Sequence, residues 1–242
     1  MVKAHEFWAT ISGSTLDDIL QQQHSVWDWG VSTVEIRTDL VPRSLHEQVL
    51  NTVVQAPTWV AHFGTGAEAG TARTALHEAL AADTIDGIVC HSRLEGVQEM
   101  AAAAQSAGKG FVAAFHSQTP VTLDEALDEY EYQGTLNPLF RKIAARAHTV
   151  EEALTLLQAT HRASKRGGIP VVGAVFGPQR WARIAMPAVG STVTFVIAHP
   201  VPNEAGGDDE QLTIEEATAV CSVRRIVEPP RARKVLVEAG NW

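Results

Sequence analysis

Leu139-Phe140-Arg141-Lys142-Ile143-Ala144, followed by Thr149-Val150-Glu151-Glu152-Ala153-Leu154-Thr155-Leu156-Leu157, sets the pattern of the whole chain. The first run is short, apolar and suited to a strand. The second is amphipathic and starts behind a threonine that can cap a helix. The same alternation recurs along the sequence. Strands are expected near 7–11, 33–40, 59–63, 87–91, 110–116, 139–144, 170–176 and 192–198. Helices are expected near 15–23, 44–54, 70–82 and 94–107, after the caps Thr122 and Thr149, near 179–187, and from about Thr213. Glu125 stands three residues after Thr122, the spacing of a capping box. Eight strand–helix units with no break in composition predict parallel strands closed into a single-domain (β/α)8 TIM barrel over residues 1–242, with a tail from about 225 partly outside it. An open doubly wound sheet is the alternative. It would usually carry a glycine-rich phosphate loop after the first strand, and Ser12-Gly13-Ser14 is a poor match.

The chain has 242 residues, 45% of them hydrophobic, and a formal net charge of -9. The acidic balance argues against nucleic acid or an anionic membrane surface as partner. No apolar run reaches the roughly 18 residues of a membrane span, and Met1-Val2-Lys3-Ala4-His5-Glu6 lacks the apolar core of a signal peptide. Cys90 and Cys221 form neither a disulfide framework nor a metal-ligand spacing, which predicts a reducing, cytoplasmic setting.

Side chains alternate along a strand, so Phe140, Lys142 and Ala144 share a face. An ammonium on an apolar face is costly, and burial lowers its pKa. A partly neutral lysine can attack a ketone and form an imine. The alternative is a strand-end lysine whose charge reaches water. In the second strand Glu35, Arg37 and Asp39 share one face, opposite Val34, Ile36 and Leu40. That charged face should point to the barrel axis or mouth, where it either binds a ligand or satisfies itself through a Glu35–Arg37 ion pair. His116 ends the fifth strand, beside the sixth, at the end of a barrel where chemistry sits. Glu68 follows the third strand, and Arg183 follows the seventh, where a guanidinium suits a carboxylate.

Together these residues resemble type I 3-dehydroquinate dehydratase, the Schiff-base enzyme of the shikimate pathway that serves aromatic amino acid biosynthesis. Glu35-Ile36-Arg37-Thr38-Asp39 matches the family's Glu-x-Arg-x-Asp strand. His62 to Gly70 is similar to its segment ending in Glu-Gly-Gly. Phe115-His116 with Thr119-Pro120 is similar to its histidine segment, and Lys142-Ile143-Ala144 to the strand of its imine lysine. Arg183, Gly190-Ser191 and Thr194-Phe195 resemble its later pieces, and Gln211 falls where its closing loop has glutamine.

The resemblance implies that Lys142 forms the imine, that His116 acts as general acid and base, and that Glu68 orients His116. It implies that Arg183 holds the substrate carboxylate and that Glu35, Arg37, Gln211 and Thr10 line the rest of the keto-acid site. It implies no cofactor and no metal, and a homodimer. Five departures stand out: Gly64 replaces an arginine, Val89 and His91 replace two acids, Ser117-Gln118 replaces Asp-Phe, Arg180 replaces a glycine, and Gly207-Asp208-Asp209-Glu210 precedes Gln211. Arg180 could restore the charge lost at Gly64. The triad favours a 3-dehydroquinate dehydratase. A Schiff-base lyase or aldolase acting on another keto substrate, and a non-catalytic metabolite-binding homologue, are the alternatives.

Overall fold

The computed structural model describes residues 6–29, 31, 33–52, 57–198 and 211–219. Strands β1 (Glu6–Ile11), β2 (Thr33–Arg37), β3 (Thr58–His62), β4 (Gly87–His91), β5 (Gly110–Ser117), β6 (Arg141–Arg146), β7 (Val171–Phe176) and β8 (Val193–Ile197) alternate with helices. The helices are α1 (Leu16–Asp28), α2 (His46–Thr52), α3 (Ala69–Ala81), α4 (Val97–Ser106), α5 (Leu123–Gly134), α6 (Val150–Lys165) and α7 (Ala182–Ala185). Capping boxes start three of them: Thr15 with Asp18, Thr122 with Glu125 and Thr149 with Glu152. Each satisfies backbone donors that the first helical turn leaves unpaired.

All strand pairings are parallel, in the order β7-β6-β5-β4-β3-β2-β1-β8-β9, where β9 is the short strand Leu212–Thr213. The sheet curls into the expected barrel. Alternation along each strand separates two layers. Ile143 and Ala145 of β6 pack outward with Leu156 and Ala159 of α6, while Phe140, Val172, Trp59, Trp8 and Phe195 fill the barrel interior. Trp8 meets Trp59 at 5.0 Å and Phe140 at 5.2 Å between ring centroids. The Trp59 ring lies over Gly87 and Gly110, where any Cβ would collide with it. This aromatic plug fills the lower barrel.

The barrel's closing seam differs from its other ladders. β7 and β8 share one bridge, Val171 to Ser191, and the Thr192 N–H donates to the Val171 carbonyl at 3.0 Å. Side chains do the remaining work: Ser191 Oγ accepts from the Gly173 N–H at 3.3 Å, and Arg183 spans the seam higher up. The upper half of β8 pairs instead with β9 (Leu212–Thr213), through Val196–Leu212 and Ile197–Thr213. This two-residue strand has no counterpart in the sequence expectations. The tail from about 225 lies outside the described residues, as do Cys221 and the 207–210 run. Among the described residues no helix is long and apolar enough to cross a membrane.

Candidate active site

Lys142 lies in the middle of the barrel. Its β6 register sets it beside Ala114 of β5, with Ala144 beside His116. Lys142 and His116 therefore both face the interior, with His116 two residues higher, roughly 7 Å along the strand. Lys142 is 3% exposed. Its Nζ donates to Glu35 Oε1 at 3.3 Å and sits 3.4 Å from the centroid of the Phe195 ring and 5.5 Å from that of Phe63. Burial pulls the Lys142 pKa down to about 8, and the positive charges of Arg37 and Arg183 pull the same way, against the Glu35 carboxylate. The alternative of a lysine reaching into water is therefore not what the chain adopts.

Glu35 is 1% exposed and both of its oxygens are engaged: Thr10 Oγ1 donates to Oε2 at 3.1 Å. The charged face of β2 points inward, as its alternation predicts, while Val34 and Ile36 pack outward with Ile19 and Val49. Of the two alternatives, the self-satisfying Glu35–Arg37 ion pair does not form among the described residues. Arg37 instead grips Asp39 through two bonds, Nε to Oδ1 at 2.8 Å and Nη2 to Oδ2 at 2.6 Å, and its guanidinium lies over Phe63 at 4.6 Å.

His116 stacks on Phe63, with ring centroids 3.8 Å apart. Its Nε2 is buried and, among the described residues, has no hydrogen-bond partner. Burial first, then the charges of Lys142 and Arg37, hold its pKa well below the ordinary histidine value, so the ring is neutral at physiological pH. The backbone of His116 is held by His91, one of the departures from the family pattern. The Arg93 N–H donates to His91 Nδ1 at 3.0 Å, which leaves the proton on Nε2; that N–H faces the His116 carbonyl at 3.4 Å.

Glu68 ends the 3-10 turn Gly66–Glu68 and is exposed. Among the described residues it makes no hydrogen bond to His116. Its side chain covers the place of the missing arginine: a Cβ at Gly64 would lie 2.9 Å from Glu68 Cβ and 3.1 Å from Glu68 Oε2. The Glu68 charge is felt instead at His62.

Arg183 is 5% exposed; its Nε donates to the Val175 carbonyl at 2.7 Å, and its Nη1 to the Phe195 carbonyl at 3.2 Å and to Gln211 Oε1 at 3.4 Å. Arg183 and Gln211 are thus brought together across the seam. Arg180 does not replace the lost cation at Gly64: it pairs with Glu216 at 3.0 Å and donates to the Gln211 carbonyl at 2.8 Å.

Sequence reasoning gave no role to Phe63 and Phe195, which flank the amine and the imidazole, or to Gln133. The Gln133 Nε2 donates to the Lys142 carbonyl at 2.9 Å and to Glu129 Oε1 at 3.1 Å. Phe63 directly follows β3, at a strand C-terminal end, which was the available signal; Phe195 is the middle residue of β8 and offered none. Gln133 lies in the last turn of α5 and carries none.

A family model described as type I 3-dehydroquinase matches residues 7–228. The chain belongs to that family. No curated protein matches it. Among solved structures it is similar to a Clostridium difficile type I 3-dehydroquinate dehydratase with covalently modified comenic acid, at 16% identity and a TM-score of 0.78 over 94% of this chain and 96% of that one. The Geobacillus kaustophilus enzyme gives 18% identity and 0.78, covering 94% and 93%. The Enterococcus faecalis enzyme gives 18% and 0.76, covering 92% and 95%. At such identities these likenesses establish the barrel fold, and the dehydratase family rests on the sequence model.

Proposed function

We propose that this type I 3-dehydroquinase family member converts 3-dehydroquinate to 3-dehydroshikimate and water through an imine on Lys142. The carrying observation is a dry, interior amine whose pKa is brought down to about 8, one layer below a neutral imidazole. The neutral fraction of Lys142 attacks the substrate ketone. The resulting iminium draws electrons from the neighbouring C–H bond, and His116, uncharged and without a competing partner at Nε2, takes that proton and later protonates the departing hydroxyl. Glu68 enters as the orienting carboxylate, after its exposed side chain rotates away from Gly64. Arg183 and Gln211 hold the substrate carboxylate side, and Glu35, Arg37 and Thr10 the hydroxyl side. A cytoplasmic homodimer needing neither metal nor organic cofactor goes with this reading.

Cyanoborohydride trapping with 3-dehydroquinate and mass mapping tests it. The expected result is a reduced adduct on Lys142, enone absorbance in turnover, and loss of both in Lys142→Ala. Turnover that survives in Lys142→Ala removes the imine. A second reading, the same lysine chemistry on another keto acid, is favoured by one observation: Glu68 lies where the family arginine would place a cation. An adduct on Lys142 without enone formation would support it.

A further inference from the structure

We propose that Glu35 is the base for Lys142: it takes the ammonium proton as the amine attacks the ketone and returns it to the departing carbinolamine hydroxyl. This rests on the imine reading above and assigns to Glu35 a step beyond ligand binding.

The geometry is specific. Among the described residues Glu35 Oε1 is the hydrogen-bond partner of Lys142 Nζ, at 3.3 Å, and both side chains are almost wholly buried. Thr10 Oγ1 fixes the other carboxylate oxygen, so Oε1 stays aimed at the amine. The nearby alternative base, His116, sits a layer higher on β5, and among the described residues its Nε2 has no hydrogen-bond partner, Lys142 included. Arg37, Arg183 from α7 and His91 on β4 also bear on the imidazole. The Glu35 carboxylate, already in contact with the ammonium, takes the proton across an existing hydrogen bond. Arg37 is itself committed to Asp39 and leaves Glu35 to the lysine.

The step balances. The Lys142 ammonium gives one proton to the Glu35 carboxylate, leaving an amine and a carboxylic acid. The nitrogen lone pair attacks the carbonyl carbon, the C=O π pair moves to oxygen, and one proton passes from nitrogen to that oxygen to give a neutral carbinolamine. Glu35 then protonates the hydroxyl, the C–O bond breaks, and water leaves. The products are the iminium, one water and the Glu35 carboxylate, with a net charge of +1 on lysine nitrogen before and after.

The competing role is purely electrostatic: a carboxylate that keeps the lysine charged. The two roles predict opposite signs for Glu35→Gln, which keeps the shape and the bond from Thr10. Losing the carboxylate lowers the Lys142 pKa, so at neutral pH more free amine is present. If Glu35 is only a counterion, adducts form faster. If Glu35 is the base, they form more slowly by about 10²–10⁴-fold, the usual worth of a positioned acid–base group.

The experiment follows the rate of cyanoborohydride-trapped adduct on Lys142 with 3-dehydroquinate from pH 6 to about 10, in wild type, Glu35→Gln and Glu35→Asp. The expected result is slower trapping for Gln below about pH 8, where the wild-type amine still carries the proton that Glu35 takes, with partial recovery for Asp. Thermal melting of each variant separates loss of fold from loss of base, and Asp retains both charge and base if Gln fails to fold. Equal or faster trapping in Glu35→Gln, or Asp no better than a misfolded Gln variant while melting like wild type, overturns the role of Glu35 alone. No Lys142 adduct in wild type removes the imine reading and this inference with it.

Discussion

The Phe63 ring lies nearly flat on the His116 imidazole, 3.8 Å between centroids at an interplanar angle of 22°. One aromatic face thus keeps water from the imidazole proposed as general base. Burial is the largest cause of the low His116 pKa, and Phe63 is the side chain that supplies it face to face. Phe63→Ala should let water reach the imidazole and raise its pKa toward the ordinary value near 6.5. The acid limb of the pH profile of kcat/KM should therefore move to higher pH. An acid limb that stays in place would show that Phe63 does not control the protonation of the base.

The amine titrates in the opposite sense. In the proposed imine route Lys142 must lose its proton to react, and its pKa of about 8 lies well below the usual 10.5. Adduct formation should rise with pH and level off above about 8, where the amine is already neutral. The same shift has a consequence for stability. The folded state binds fewer protons than the unfolded chain between about 8 and 10.5, so this group costs stability below that window and the cost is relieved as pH rises through it. Trapping rates that keep climbing to pH 10 would place the lysine in water, against the burial seen here.

Much of this arrangement is legible in the sequence, for local reasons. Capping boxes at Thr122 and Thr149 are three-residue patterns, and the inward face of β2 follows from a period of two. The partner choices are not local. Glu35 and Lys142 meet across 107 positions of sequence, and nothing in either segment says that Glu35 will take the lysine while Arg37 takes Asp39. β9 is two residues long, too short to carry a pattern. The helix expected from about 94 begins at Val97 because Gly96 holds a left-handed φ of 83° at its N-cap. The direction of the Glu68 side chain depends on the space that Gly64 leaves, which only the folded loop reveals.

Behind the lysine strand stands a buried acid. Glu129, 3% exposed on α5, accepts from Ser92 Oγ at 2.6 Å, from Arg93 Nη2 at 2.6 Å and from Gln133 Nε2 at 3.1 Å. Gln133 also donates to the Lys142 carbonyl, so one carboxylate ties the loop after β4 to the strand that carries Lys142. Glu129→Ala should leave Ser92 and Gln133 without their shared acceptor and cost about 2–3 kcal/mol, the lower end for a broken buried pair because Arg93 is half exposed. Urea denaturation should read this loss, and kcat should fall as β6 loosens. Unchanged stability would mean that water replaces the carboxylate without penalty.

Arg180 tests how the seam holds the Gln211 segment. Its guanidinium joins Glu216 and the Gln211 carbonyl, while the Gln211 side chain accepts from Arg183. The Arg180–Glu216 pair is 38% and 41% exposed, so solvent limits its worth to about 0.2–1 kcal/mol. Arg180→Ala should therefore raise KM for the keto acid by no more than about fivefold and leave kcat near its original value, since the reacting groups lie on other strands. Arg183→Ala differs in kind. It removes bonds to Val175 and Phe195 that hold β7 to β8, as well as the contact with Gln211, and should lower kcat/KM and thermal stability together. Equal effects of the two substitutions on stability would mean that the seam is held elsewhere and that Arg183 does not close it.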